Sequence, residues 1–100
     1  GYGSELKNCV LFGKNDIGRL SFVGDSVMGE GASSGPGLTT VNHTVDYTPV
    51  TCKSGLGSVE TGLVKLGAFV GDNVAIGARH VLGPGAILKH GRIIPDSTTI

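Results

Sequence analysis

Aliphatic residues recur at every sixth position through the C-terminal third of the chain. Helices repeat near 3.6 residues and strands near 2, so a period of six fits neither element. A chain that turns a corner every six residues, and buries one side chain at each step, produces this pattern. The ladder consists of Val70, Ile76, Leu82, Leu88, Ile94 and Ile100. It predicts an all-β fold, a single-stranded parallel β-helix of hexapeptide repeats with a triangular cross-section.

The same period is present near the N-terminus. Leu11, Ile17 and Val23 are spaced by six, and Met28 follows Val23 after five residues, which indicates one tightened corner. Small or medium-sized residues often stand four places after an aliphatic one, and His80 and Arg92 share that phase. We expect these two polar tips to reach the edge of a coil or a neighbouring chain. The small or medium-sized residues of this phase are Ala68, Val74, Ala86 and Thr98.

The period is lost between residues 42 and 62, which predicts an inserted loop or hairpin. Val41, Val45, Val50 and Cys52 alternate loosely, as in a short β excursion. About twenty residues without the repeat are unusual in a compact domain and are often functional. The alternative is a surface hairpin that protects a corner of the prism, and the sequence leaves both interpretations open.

Composition narrows the class of protein. One hundred residues predict a single domain spanning 1–100, and eight Lys and Arg balance eight Asp and Glu, which argues against a nucleic-acid partner. No apolar run approaches the roughly 18 residues of a membrane span. Cys9 and Cys52 are too few for a disulfide scaffold, so we expect free thiols in the cytoplasm, and no Cys/His spacing predicts a metal site.

The expected stability favours association. A narrow aliphatic core in a short solenoid with two open ends gives marginal stability alone. Three flat-sided prisms packed side by side form a closed assembly, so we predict a homotrimer. The chain does not begin with Met, and we expect it to be a piece of a longer protein.

Two motifs carry a resemblance to a known family. Residues 22–37 read FVGDSVMGEGASSGPG and residues 66–77 read LGAFVGDNVAIG, with a Lys-Asn turn at Lys7 and Asn8. In this order they resemble the C-terminal hexapeptide β-helix of archaeal-type bifunctional sugar-1-phosphate nucleotidylyltransferase/acetyltransferases. The resemblance implies a left-handed β-helix, a homotrimer and acetyl-CoA-dependent N-acetylation of an amino sugar phosphate. It also implies that this domain is the C-terminal part of a longer nucleotidyltransferase.

Three groups used by the family's acetyl transfer are replaced here. Arg19 stands where the family has its catalytic His, and a guanidinium has no lone pair to accept a proton. Phe22 stands for a Tyr and lacks its hydroxyl. Pro36 interrupts the family's Gly-Ala-Gly corner and lacks an N–H, so one oxyanion-type donor is missing.

Other positions match the family or offer substitutes. Asn42 matches the family's substrate-binding Asn, and Lys53 is a loosely aligned candidate for its phosphate-binding Lys. Arg19 is a candidate for binding a phosphate or carboxylate. His43 is a candidate substitute base, the alternative being a surface imidazole. The resemblance implies a cofactor wall, for acetyl-CoA as cosubstrate, formed by Gly35, Gly37, Ala68 and Ala78.

Two functions follow. The first is a trimerising and ligand-binding module of a sugar nucleotidyltransferase, which binds a sugar phosphate or sugar nucleotide and has lost the family's acetyl transfer chemistry. The second is an active acetyl-CoA-dependent N-acetyltransferase of an amino sugar-1-phosphate, with a site rearranged around Asn42, His43 and Lys53.

Overall fold

Short parallel strands form a three-sided prism. The computed structural model describes residues 1–54 and 57–97, in which three four-stranded parallel sheets, faces A, B and C, surround one core. Face A contains β1 (Glu5–Lys7), β4 (Phe22–Gly24), β7 (Thr39–Thr40) and β12 (Val81–Leu82). Face B contains β2 (Val10–Leu11), β5 (Val27–Met28), β10 (Phe69–Val70) and β13 (Ile87–Leu88). Face C contains β3 (Asp16–Ile17), β6 (Ser33–Ser34), β11 (Ala75–Ile76) and β14 (Ile93–Ile94).

The chain visits faces A, B and C in turn, so each set of three strands is one coil. Each strand pairs in parallel with its counterpart in the next coil, as Val10 pairs with Val27 and Phe69 pairs with both Val27 and Ile87. The parallel β-helix predicted from the sequence is therefore confirmed. Among the described residues no helix is long and apolar enough to span a bilayer.

The aliphatic ladder lines the interior. Leu11, Met28, Val70 and Leu88 occupy one column of face B, and the last three are buried. Leu6 and Leu11 of the first coil remain 47% and 38% exposed, because no described coil lies beneath them. The predicted rungs Val70, Ile76, Leu82 and Leu88 are all buried and Ile94 is half-buried, whereas Ile100 lies outside the described residues.

Residues four places after each rung turn inward at the corners. Ala68 and Val74 are buried, Ala86 is half-buried, and Thr98 lies outside the described residues. His80 shares this phase, and its Nε2 donates to the Pro95 carbonyl of the next corner at 2.5 Å. The expectation that the tip of His80 reaches a coil edge is therefore confirmed.

The insert folds as a hairpin, as predicted for residues 42 to 62. β8 (Thr51–Ser54) and β9 (Gly57–Glu60) pair antiparallel. Val50 and Cys52 are buried where the hairpin meets the fourth coil, and a Cβ on Gly85 would lie 3.1 Å from the Cys52 Sγ. Glycine at 85 allows this close approach, which anchors the hairpin on the corner between faces A and B.

Thr40 is a polar rung of the ladder at the point where the chain leaves the prism. Its buried Oγ1 accepts the Gly24 N–H at 2.9 Å, which joins the second coil to the third. We predict that Thr40→Val lowers the free energy of unfolding by about 1–3 kcal/mol, because a buried N–H loses its acceptor without a change in side-chain volume. Chemical denaturation at fixed protein concentration measures this loss.

The neighbouring Thr39 provides the matched control. Its side chain points out of face A, so Thr39→Val should change the free energy of unfolding by less than about 0.5 kcal/mol. Equal stability of the two variants would contradict the structural role of the Thr40 hydroxyl.

Candidate functional site

Three amide and carboxylate side chains stack at the corner between faces A and B. The Asn42 Nδ2 donates to the Asp25 Oδ2 at 2.7 Å, and the Asn8 Nδ2 lies 3.5 Å from the Asp25 Oδ1. The Asn42 carbonyl accepts the Leu66 N–H at 2.9 Å. Asn42 therefore joins the two ends of the insert to the prism, a structural role that the sequence did not indicate.

Phe22 and Asn42 lie side by side on face A. A Cβ on Gly24 would lie 2.7 Å from the Phe22 Cζ and 3.1 Å from the Asn42 Nδ2. The aromatic ring thus fills the space above Gly24, which is available because glycine has no side chain. The structure brings an apolar ring and a polar amide–carboxylate pair to one end of face A.

Arg19 lies at a different corner, between faces C and A. Its carbonyl accepts the Gly37 N–H at 3.0 Å, and its exposed side chain borders a hollow of about 340 Å³ beside Tyr2 and Leu20. Gly35 and Ala78 share this corner, since a Cβ on Gly35 would lie 2.9 Å from the Ala78 nitrogen. The predicted residues Arg19, Gly35, Gly37 and Ala78 therefore form one edge of the prism.

Ala68 and Lys53 belong to the corner between faces A and B instead. The Ala68 side chain is buried in the core, and its N–H donates to the Ser26 Oγ at 2.9 Å. Lys53 is exposed on β8 and, with Thr51, borders a depression of about 260 Å³ against Gly83–Ala86. The predicted site residues are thus divided between two corners of one prism.

His43 is held by its own loop. Its Nδ1 lies 2.8 Å from the Thr44 carbonyl oxygen, and its ring stacks on Tyr47 with centroids 4.4 Å apart and planes inclined by 11°. A carbonyl oxygen only accepts, so Nδ1 carries the proton, and in the neutral ring Nε2 has a lone pair. Nε2 is therefore the ring nitrogen that can accept a proton from a substrate.

The described residues were compared with the requirements of a metal site. Residues 1–54 and 57–97 bring together no group of three or more His, Cys, Asp or Glu side chains suited to a metal ion.

The fold and its corners define a class of protein, the hexapeptide-repeat β-helices with one coil opened by a hairpin. No protein-family model matches the chain. A putative uncharacterized acetyltransferase, YaiX of Escherichia coli strain K12, is 34% identical over 89 residues, which are 89% of this chain and 39% of that protein. The bifunctional protein GlmU of Methanococcus vannielii is 35% identical over 94 residues, 94% of this chain and 22% of the relative.

The name of a third relative states both activities. The bifunctional sugar-1-phosphate nucleotidylyltransferase/acetyltransferase of Sulfurisphaera tokodaii is 34% identical over 98 residues, 97% of this chain and 24% of the relative. The resemblance read from the sequence motifs is confirmed: over most of its length the chain is homologous to these acetyltransferase-type proteins. It spans well under half the length of each of them.

Proposed function

We propose that this β-helix is a trimerising and ligand-binding module of a longer sugar nucleotidyltransferase. Its ligands are a sugar phosphate or sugar nucleotide and coenzyme A. The names of the relatives support these ligand classes, and their greater length supports a longer protein. Cys9 and Cys52 are both free thiols, which supports a reducing, cytoplasmic environment.

The proposed subunit interface is the outer surface of face B. In each of the four coils that the structure describes, the outward residue of face B is apolar. The register aligns these residues as Val10, Val27, Phe69 and Ile87. The corresponding outward column of face C contains Asp16, Ser33, Ala75 and Ile93. A flat, continuous apolar column on one face of a prism is suited to the core of a subunit interface.

Loss of the family's acetyl transfer is part of this proposal. Arg19 offers no lone pair, Phe22 offers no hydroxyl and Pro36 offers no N–H. A general base alone contributes about 10²–10⁴-fold to such a reaction. Binding needs none of these three groups, because it depends on the shape and charge of the corners.

Sedimentation velocity tests the assembly. We expect one species with the mass of a trimer, unchanged over a range of micromolar loading concentrations. A monomer at those concentrations would contradict the proposal. Calorimetry with coenzyme A and with glucosamine-1-phosphate on the same sample tests ligand binding separately from assembly.

A second candidate function is supported by the geometry of His43. In this alternative the chain is an active acetyl-CoA-dependent N-acetyltransferase of an amino sugar-1-phosphate. The His43 Nε2 removes a proton from the sugar amine as the amine nitrogen bonds to the thioester carbonyl carbon. The carbon–sulfur bond then breaks, and the imidazolium gives the proton to the departing sulfur, which releases the coenzyme A thiol. Asn42 and Lys53 hold the sugar phosphate. The tautomer set by the Thr44 carbonyl favours this candidate.

A further inference from the structure

Two arginines stand on the edge between faces C and A. Three backbone hydrogen bonds fix the register: Leu20 N–H donates to the Tyr2 carbonyl, Gly37 N–H to that of Arg19, and Arg79 N–H to that of Pro36. Successive coils are about 4.8 Å apart, so the positions of Arg19 and Arg79 are separated by two coil spacings, about 10 Å. Two long side chains at this separation can reach one ligand group between them.

The stem of Arg79 lies over Gly37, toward the coil of Arg19. Gly37 has a φ of +77°, and a Cβ on it would lie 3.3 Å from the Arg79 Cγ. Gly37 leaves space for the arginine stem, because it has no side chain. The Arg79 stem thus covers Gly37, one coil away from the backbone of Arg19.

Neither arginine has a carboxylate partner within the part of the chain that the structure describes. The ion pair formed there is Lys14–Glu30, at 3.7 Å on a different corner. Asp96, the acidic residue on this edge, accepts the Ala78 N–H at 2.7 Å. Arg19 and Arg79 are both exposed, so their guanidinium groups are accessible to a ligand.

We infer that Arg19 and Arg79 clamp the diphosphate group of a nucleotide-bearing ligand along this edge. The inference rests on the proposed ligand-binding function and names the group that is bound. Guanidinium groups form paired, charge-assisted hydrogen bonds with phosphate oxygens. Two unpaired cations about two coils apart match a diphosphate better than a single phosphate. Either a nucleotide sugar or coenzyme A supplies such a group.

Calorimetry on the full chain tests the clamp with four probes: uridine diphosphate, coenzyme A, inorganic phosphate and adenosine. We expect at least one of the two diphosphates to bind more tightly than inorganic phosphate, and adenosine not to bind. Arg19→Gln and Arg79→Asn should each weaken diphosphate binding about tenfold or more, since each removes a charged donor. Asn is chosen at 79 because it tolerates the left-handed backbone found there. Tighter binding of coenzyme A assigns the site to that cofactor, and tighter binding of uridine diphosphate assigns it to a nucleotide sugar.

Arg92→Gln is the matched control, because Arg92 is an exposed arginine beside face C at its other edge, on the corner shared with face B. It should leave the affinity within about twofold of wild type, as expected for a separate site. An equal loss in all three variants, no loss at Arg19 or Arg79, no diphosphate binding, or equally tight binding of inorganic phosphate would each overturn the clamp. Sedimentation of the same samples separates the two proposals, because a trimer without diphosphate binding contradicts the clamp alone.

Discussion

Phe69→Glu should convert the proposed trimer into monomers. Phe69 is the third residue of the apolar column on face B and pairs with Val27 on one side and Ile87 on the other. In the proposed assembly this column forms the interface core, so the substitution buries a carboxylate without a partner. A buried, unpaired charge costs about 3 kcal/mol or more, which weakens each interface at least about 150-fold. Sedimentation velocity at micromolar concentration measures the change.

Ile93→Glu is the control for this result. Ile93 is also an outward apolar residue, 77% exposed, but it lies on face C beside Ala75 and in a column with Ser33 and Asp16. The same charge at this position should leave the trimer intact. Dissociation by Ile93→Glu with an intact Phe69→Glu trimer would move the interface from face B to face C.

The two substitutions depend on a distinction between inner and outer columns that is already present in the sequence. Each residue of the outward column on face B directly precedes a rung of the ladder, as Phe69 precedes the buried Val70. Side chains alternate in direction along a strand, so the residue before a buried rung points outward. The period of six identified the rungs, and the residues that precede the rungs of face B form its apolar outer column. The fold was predictable because the repeat is local and is set by neighbouring residues.

The site was less predictable because it depends on contacts between distant segments. Asn42 was identified as a substrate residue, but its bond to Asp25 joins positions that are adjacent only after the coils stack. Likewise, Arg19 was singled out by its position in a motif. That Arg79 lies two coils away on the same edge could not be read from the sequence, because the hairpin is inserted between them. The number of residues between two positions does not give the number of coils between them, since the hairpin adds residues without adding a coil.

The replaced residues of the family's acetyl-transfer site and the candidate substitute residues lie at different corners of the prism. Arg19 and Pro36 share the edge between faces C and A, while Asn42 and His43 begin the insert at the far side of face A. A substitute base at His43 therefore acts from a different corner than the base it replaces. In a closed trimer two corners from neighbouring prisms approach each other, so the division of the candidate residues is compatible with a site shared between subunits.

If the chain is an acetyltransferase, His43→Ala should lower kcat by about 10²–10⁴-fold, the usual contribution of a general base. The assay follows release of the coenzyme A thiol with glucosamine-1-phosphate or galactosamine-1-phosphate as acceptor. KM for acetyl-CoA should stay close to wild type, because the imidazole acts on the sugar amine and its loss affects the transition state alone. Added imidazole should restore part of the lost rate, which a purely structural role for the ring would not allow.

Three further variants test whether the effect belongs to the His43 ring. His90→Ala removes an exposed imidazole from another corner and should leave kcat unchanged. Tyr47→Phe keeps the ring that stacks on His43 and should retain most of the activity, whereas Tyr47→Ala removes the stack and should lower kcat with the Nδ1 bond to Thr44 still possible. Wild-type protein that forms a trimer and binds ligand but releases no thiol would reject the acetyltransferase. The loop that holds His43 would then act with Asn42 as the junction between insert and prism, and the module would bind without turnover.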